Sequence, residues 1–327
     1  MTAPLAYVNG RFVPFDKLTI SVADAGFVFG ATVTDLVRTF RGRSFRVADH
    51  IDRFRESCRL CHVPLTASDD DLRGAAEHLI WYNLRRPPET GIPVQDEHGR
   101  VLGRFLPQPV QDAGELALVM FATPGPIGYY AGLPVGPGDG PPTVGMHTFP
   151  LPLTRYRKLF TEGATLVVPP TQHVAAASVD PRAKMRSRLF WWIAEQETKE
   201  IDPGASALLL NAAGHVTETA TANFLIVRDG TVLSPPRGTI LGGISLRVVE
   251  ELCGELGIPF AEAPMTLAEC MTADEALLTG TAFCVAGVGR LNGTALPWPG
   301  PVWRRLLAAW SDRVGVDIEG QIKEGTV

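Results

Sequence analysis

Asp180-Pro-Arg-Ala-Lys184-Met-Arg-Ser-Arg188 is the stretch on which the reading of this chain turns. Lysine is scarce: of 30 Lys plus Arg, five are lysines, and Lys184 sits among Arg182, Arg186 and Arg188 ahead of an apolar helical pattern from Met185 to Glu200. Neighbouring cations disfavour an ammonium ion. Desolvation acts in the same direction, pulling a lysine down from about 10.4. A lysine tuned in this way serves as a nucleophile or as an amine that condenses with a carbonyl. A basic cluster at a helix start is also an ordinary solvated face, so the assignment depends on the rest of the chain.

The chain has 327 residues, which suggests about two domains, and its 45% hydrophobic and 20% charged content is that of a globular protein. A net charge of −5 argues against a general nucleic-acid binder. Among five cysteines, Cys58 and Cys61 form a C-x-x-C inside a helix-like stretch from Arg53, and no second pair or paired histidines follow at zinc spacing. Structural thiols and no metal site are expected. The N-terminal Met1 to Gly10 lacks a basic and an apolar leader region, and no apolar run reaches membrane-spanning length. A cytoplasmic protein without a membrane span is expected.

The first half reads as hairpins followed by helices. Asn9-Gly10 lies between Tyr7-Val8 and Phe12-Val13, and Gly42 lies between Leu36–Phe40 and Ser44–Val47. Helical periodicity follows from about Ala48 and again from Asp69 to Leu84, with a buried strand at Leu116–Phe121. Residues 85–113 are Pro-rich and polar, and residues 124–142 hold six Gly and six Pro, so both are expected to be loops or flaps. In the second half, strands are expected at Gly163–Val168, Ala207–Leu210 and Asn223–Val227. Hairpin turns are expected at Asp229-Gly230 and Asn292-Gly293, and an amphipathic helix from Leu246 to Leu256 closed by Gly257. Strands and helices in blocks suggest two α+β domains. The expected division is a small N-terminal domain over 1–147, a connector at 148–160 and a larger C-terminal domain over 161–327 carrying Lys184.

Three further stretches bear on chemistry. Leu241-Gly-Gly-Ile-Ser245 leads into a helix, where exposed N–H groups, the helix dipole and the Ser245 hydroxyl suit a phosphate, although such a stretch is also an ordinary N-cap. Thr279-Gly-Thr-Ala282 offers similar donors at a strand end. Glu218, within Val216-Thr-Glu-Thr-Ala-Thr221, is either part of an exposed polar strand face or a buried carboxylate that holds a protonated heterocycle nitrogen. A lysine, a carboxylate and two oxyanion sites together suit pyridoxal phosphate.

With these residues in place, the chain resembles the branched-chain/D-amino-acid aminotransferase family, the fold-type IV (class IV) pyridoxal-phosphate enzymes. The likeness runs from about Tyr7 to Gly293. It is carried by Asp24–Gly30, His50-Ile-Asp-Arg53-Phe, Lys184, Gly214–Phe224, Leu241–Ser245 and Thr279–Ala282. It implies an α+β two-domain homodimer with pyridoxal 5'-phosphate between the domains. Lys184 would form the Schiff base and shuttle a proton, and Glu218 would pair with the pyridine nitrogen. Leu241 would pack on the ring, while Arg53, Ile244, Ser245 and Thr281 would hold the phosphate. Thr34, Arg38 and Ala282 are the candidate substrate contacts.

The chain departs from the family at several points. Gly243-Ile244-Ser245 stands where many members have Gly-Ile-Thr, keeping the hydroxyl. The loop after Gly30, Ala31-Thr-Val-Thr34-Asp35, stands where relatives often place an aromatic followed by glutamate, and Leu189 stands where branched-chain enzymes carry a tyrosine. The strand Leu116–Phe121 and Ala122–Gly125 hold no arginine of the kind D-amino-acid members use. The expected activity is transfer of an amino group from an amino acid or amine to a 2-oxo acid. A lyase of the aminodeoxychorismate type on the same scaffold is the nearest alternative, and a non-catalytic binding protein is a lesser one.

Overall fold

Turn chemistry and helix periodicity build this chain locally before any long-range packing is considered. The computed structural model describes residues 4–84, 92–95, 101–105, 114–132 and 140–325. Internal contacts divide it into two units, one ending at Leu151 and the other beginning at Pro152. Each is described by itself.

In the first unit, Asn9 and Gly10 have φ of 46° and 85°, the paired positive values that a two-residue type I′ turn needs. They join β1 (Leu5–Val8) to β2 (Arg11–Pro14). A short helix α1 (Ala25–Val28) is capped by the Asp24 carboxylate, which accepts the Gly26 N–H. Strand β3 (Val33–Phe40) turns through Arg41-Gly42 into β4 (Arg43–Ser44). Helix α2 (Val47–Leu60) buries His50, Ile51, Phe54, Ser57 and Cys58 at three- and four-residue spacing. Helix α3 (Asp69–Asn83) opens with a reciprocal Ser68–Asp71 capping box and buries Leu72, Ala75, Ala76, Leu79 and Ile80.

A pair of strands, β5 (Ile92–Gln95) and β6 (Val101–Phe105), forms an antiparallel hairpin inside the stretch expected to be loop. Short runs of β-formers suffice for this pairing despite the polar, Pro-rich surroundings. A single 3₁₀ turn at Gly128–Ala131 lies in the second expected loop. The remainder of 85–113 and residues 133–139 lie outside the described residues. Strands β7 (Leu116–Thr123) and β8 (Thr143–Pro150) complete an antiparallel sheet of order β2-β1-β8-β7-β3-β4. The apolar faces of α2 and α3 pack on it through Val33, Val37, Phe54, Leu72, Leu79, Leu118, Met120 and Met146. Cys58 is in this core, and burial pushes its thiol up to about 12.

In the second unit, α4 (Arg157–Thr161) precedes β9 (Ala164–Val167). Helix α5 (Leu189–Ile201) begins four residues later than the sequence pattern suggests. Before it, the Arg182 N–H donates to Asp180 Oδ1 at 2.9 Å and the Ala183 N–H to the Asp180 carbonyl at 3.0 Å, so the chain turns there. Strands β10 (Ser206–Leu210), β11 (Val216–Thr219), β12 (Asn223–Arg228) and β13 (Thr231–Ser234) follow. Helix α6 (Ile244–Glu255), β14 (Phe260–Glu262), α7 (Leu267–Met271), β15 (Glu275–Gly280), β16 (Cys284–Leu291) and β17 (Thr294–Ala295) come next. Helices α8 (Pro301–Val314) and α9 (Ile318–Glu324) end the unit.

The sheet runs β11-β10-β9-β16-β15-β12-β13-β14, and β11 also pairs with β12. The sheet therefore closes on itself at one residue pair, Glu218 opposite Asn223. Helix α6 covers it with Ile244, Leu246, Val248, Val249, Leu252 and Cys253 buried. Glu275 is buried under the start of α8, where its two oxygens accept the Val302 and Trp303 N–H groups at 2.8 and 2.9 Å.

Candidate active site

Three strands place polar side chains in one row on a single face. Glu218 on β11 is opposite Asn223 on β12, and Asn223 is opposite Thr279 on β15. Directly opposed residues in antiparallel strands project from the same side. All three are buried, Glu218 being 8% exposed, which settles its strand as interior and not a solvated polar face. The neighbouring threonines are satisfied locally: Thr217 Oγ1 donates to the Leu209 carbonyl at 2.9 Å and Thr219 Oγ1 to that of Ala222 at 3.0 Å.

The Glu218 carboxylate is held on both oxygens. Oε2 accepts from Asn223 Nδ2 at 2.9 Å and Oε1 from the Leu241 N–H at 3.2 Å. The same Asn223 amide donates to the Leu241 carbonyl at 2.8 Å, tying the row to the segment before α6. His173 Nε2 lies 3.6 Å from Glu218 Oε1.

Helix α6 starts beside this carboxylate. Gly243 is its N-cap and no side chain caps it. The first-turn N–H groups of a helix have no carbonyl partner within it, and they carry the positive end of the dipole. Ile244 and Ser245, both buried, occupy that turn. Glycine is required at 243: a Cβ there would lie 2.0 Å from Asn223 Oδ1. Leu241 is half-buried. Thr281 and Ala282, also half-buried, follow β15, and the Thr279 hydroxyl is buried without a hydrogen-bond partner.

Lys184 is half-buried, between the exposed Arg182 and the turn into α5. Two of the three arginines around it have partners of their own. Arg182 is paired with Asp180 at 2.6 Å, and Arg188 donates to the Ala220 carbonyl, two residues beyond Glu218. Burial lowers the Arg188 guanidinium, and the Glu218 charge partly opposes this.

The remaining candidates belong to the first unit. Arg53 is gripped by buried Asp35, its Nε donating to Oδ2 and its Nη2 to Oδ1, each at 2.8 Å. His50 Nδ1 meets the same Oδ1 at 2.7 Å. Burial alone would raise the Asp35 carboxyl, but Arg53 and His50 outweigh it and hold it well below the usual carboxylate range. The Thr34 hydroxyl donates to the Met120 carbonyl at 2.9 Å. Buried Arg38 donates to the Thr39 carbonyl at 3.1 Å and stacks 3.8 Å over the Phe40 ring. Sequence reasoning missed Asp35 as the partner of Arg53, although His50 and Arg53 stand three apart on one helix. It also missed His173, which no periodic pattern marks.

The chain belongs to the family described as Amino-transferase class IV, which it matches over residues 32–291. A provisionally named branched-chain-amino-acid aminotransferase of Methanocaldococcus jannaschii is 28% identical over 293 residues, covering 89% of this chain and 88% of the relative. The D-alanine aminotransferase of Bacillus licheniformis is 24% identical, with 94% and 95% covered. Among solved structures, the Escherichia coli branched-chain amino acid aminotransferase superposes with a TM-score of 0.79 at 20% identity, covering 95% of this chain and 94% of that one. The T.th. branched-chain amino acid aminotransferase with pyridoxamine 5'-phosphate gives 0.77 at 21% identity, with 99% and 98% covered.

The protein is therefore an enzyme, a class IV transaminase of the fold-type IV α+β architecture, and its cofactor is pyridoxal phosphate. The lyase alternative is not favoured. The residues present fit the cofactor: a buried, doubly anchored carboxylate suits a protonated ring nitrogen, and an uncapped helix start suits a phosphate. The partnerless Thr279 hydroxyl lies on the same row as that carboxylate.

Proposed function

We propose that Lys184 is the covalent anchor of the cofactor, through a Schiff base, and the proton-moving amine in transfer of an amino group from an amino acid or amine to a 2-oxo acid. The bound cofactor supplies an electron sink that stabilises negative charge at the substrate α-carbon. Everything else falls to the chain. Glu218 would hold the protonated ring nitrogen with a carboxylate that Asn223 and Leu241 prevent from turning away. Leu241 covers the ring, while the N–H groups of Ile244 and Ser245, the Ser245 hydroxyl and Thr281 neutralise the phosphate. The same phosphate role is proposed for Arg53 on sequence grounds. Thr34, Arg38 and Ala282 are proposed for the substrate, with Arg38 the nearest candidate for its carboxylate and a structural salt bridge the alternative role.

The observation that carries this reading is the fixed Glu218 carboxylate at the closure of the sheet, beside the uncapped start of α6. The test is amino donor alone: the holoenzyme should lose its aldehyde-form absorbance and accumulate the amine form, and a 2-oxo acid should restore it. Release of pyruvate with no spectral change would overturn the transferase reading. A donor screen with both enantiomers fixes the substrate class.

We also propose a cytoplasmic homodimer. Cys58, Cys253, Cys270 and Cys284 are buried thiols, as in a reducing compartment. Val22, Phe27, Phe29, Tyr129 and Tyr130 are exposed on two segments joined by the Ala25 N–H to Gly125 carbonyl bond. Such an apolar surface suits self-association. Light scattering should give twice the chain mass.

A further inference from the structure

His173 stands behind the site carboxylate, in a stretch that carries no motif. Its backbone N–H donates to the Leu210 carbonyl at 2.9 Å, which pins the stretch to β10. Its side chain is 8% exposed, and the rings of Phe190 and Trp191 stand edge-on to it at 5.5 and 5.7 Å. The ring cannot swing away from what it faces.

Both nitrogens face acceptors. Nδ1 is 3.0 Å from the Val174 carbonyl oxygen, which only accepts, so Nδ1 carries the hydrogen. Nε2 is 3.6 Å from Glu218 Oε1, an ion-pair distance longer than a formed hydrogen bond. A neutral ring would turn its Nε2 lone pair toward a carboxylate. A protonated ring presents a donor at each end.

We propose that His173 is the ion-pair partner of Glu218 and holds that carboxylate in place for the cofactor's ring nitrogen. It is a positioning residue, acting through Glu218, and the inference rests on the assignment of Glu218 to the ring nitrogen. Loss of the His173 proton removes the Nε2 donor and the charge that hold the Glu218 carboxylate, which places a basic limit on turnover.

The other charged groups around the pair are accounted for. Arg188 bonds the Ala220 carbonyl and acts on Glu218, with Arg186 behind it and Lys184 on the same segment. On α5, Glu195 accepts the Ala207 N–H at 3.3 Å, and Glu197 accepts the Thr171 N–H and hydroxyl, each at 2.9 Å. Burial pulls the His173 ring down, and Glu218 with the Val174 carbonyl outweighs it, leaving the ring raised above its ordinary value. The stability this pair contributes is full below about pH 6.5, the unfolded value, and is lost as pH rises through the folded one.

The experiment has a cofactor-free arm. In the apoprotein, the His173 ring is titrated by NMR in the native chain and in Glu218→Gln. The expected native midpoint is above about 6.5, and it should fall in the variant because the Glu218 charge is gone and the Val174 carbonyl alone opposes burial. A native midpoint at or below the ordinary value, or one that Glu218→Gln leaves unmoved, overturns the ion pair without touching the cofactor assignment.

The second arm compares native holoenzyme with His173→Gln for the pH profile of kcat/KM and the absorbance of the bound cofactor against pH. The variant should lose the basic limb and at least about tenfold in kcat/KM at neutral pH. An unchanged profile in a folded variant that retains the cofactor overturns the positioning role. If instead Glu218→Gln leaves the bound cofactor's spectrum and turnover unchanged, it is the assignment of Glu218 to the ring nitrogen that fails.

Discussion

Asn223 Nδ2 donates to Glu218 Oε2 at 2.9 Å and, from the same amide, to the Leu241 carbonyl at 2.8 Å. One side chain thus couples the carboxylate at the sheet closure to the segment that starts α6. Asn223→Ala leaves a buried carboxylate oxygen and a carbonyl short of a donor. The expected cost is about 1–3 kcal/mol of stability for a buried group left unsatisfied. Cofactor affinity should fall with it, by roughly tenfold or more. Urea denaturation of the apoprotein and cofactor titration by absorbance measure the two effects, and a variant unchanged in both contradicts the coupling.

Gly243 permits this arrangement by having no side chain. A Cβ would meet Asn223 Oδ1 at 2.0 Å, so Gly243→Ala displaces the asparagine or the start of α6. The expected destabilisation is about 1–3 kcal/mol, as for overpacking in a filled interior. Weakened cofactor retention should accompany it. Gly242→Ala is the control, because a Cβ at 242 has nothing within 4 Å. Cofactor binding by the two variants should differ clearly, and equal behaviour contradicts the steric account.

The first unit should lose stability in acid for a specific reason. Asp35 is fully buried and bonded to Arg53 and His50, which hold its carboxyl well below its unfolded value. A depressed value contributes stability above the unfolded pKa of about 3.9, and that contribution is lost as pH falls toward the folded value. Asp35→Asn breaks a buried pair and should cost about 3–5 kcal/mol at neutral pH. It should also flatten the acid dependence below about pH 4. Denaturation midpoints of native and variant chains across pH 2–7 check this, and parallel curves contradict it.

Local signals made much of the fold legible. Asn9-Gly10, Asp229-Gly230 and Asn292-Gly293 all adopt paired positive φ in the turns their sequences suggest. The three- and four-residue spacing of α2, α3 and α6 gives their buried faces. Helix α5 begins at Leu189, four residues later than the apolar spacing suggests, and the turn that Asp180 makes at Arg182 and Ala183 is a local bond that such spacing does not register.

The site was legible where a motif marked it and opaque where contacts are long-range. Glu218 lies on a strand of polar residues that reads as a solvated face. It is interior because β11 pairs on both sides and its threonines find carbonyls. The grip of Asp35 on Arg53 spans eighteen residues and depends on β3 packing against α2. His173 meets Glu218 across a strand connection, and neither spacing nor composition encodes that meeting.

The measurement that bears most directly on the account is borohydride reduction of the purified holoenzyme followed by peptide mapping. The cofactor should be retained and the reduced adduct should fall on the peptide containing Lys184, with Lys184→Ala folding but carrying no adduct and no turnover. An adduct on Lys158 or Lys199, or a native chain that never retains the cofactor, contradicts it.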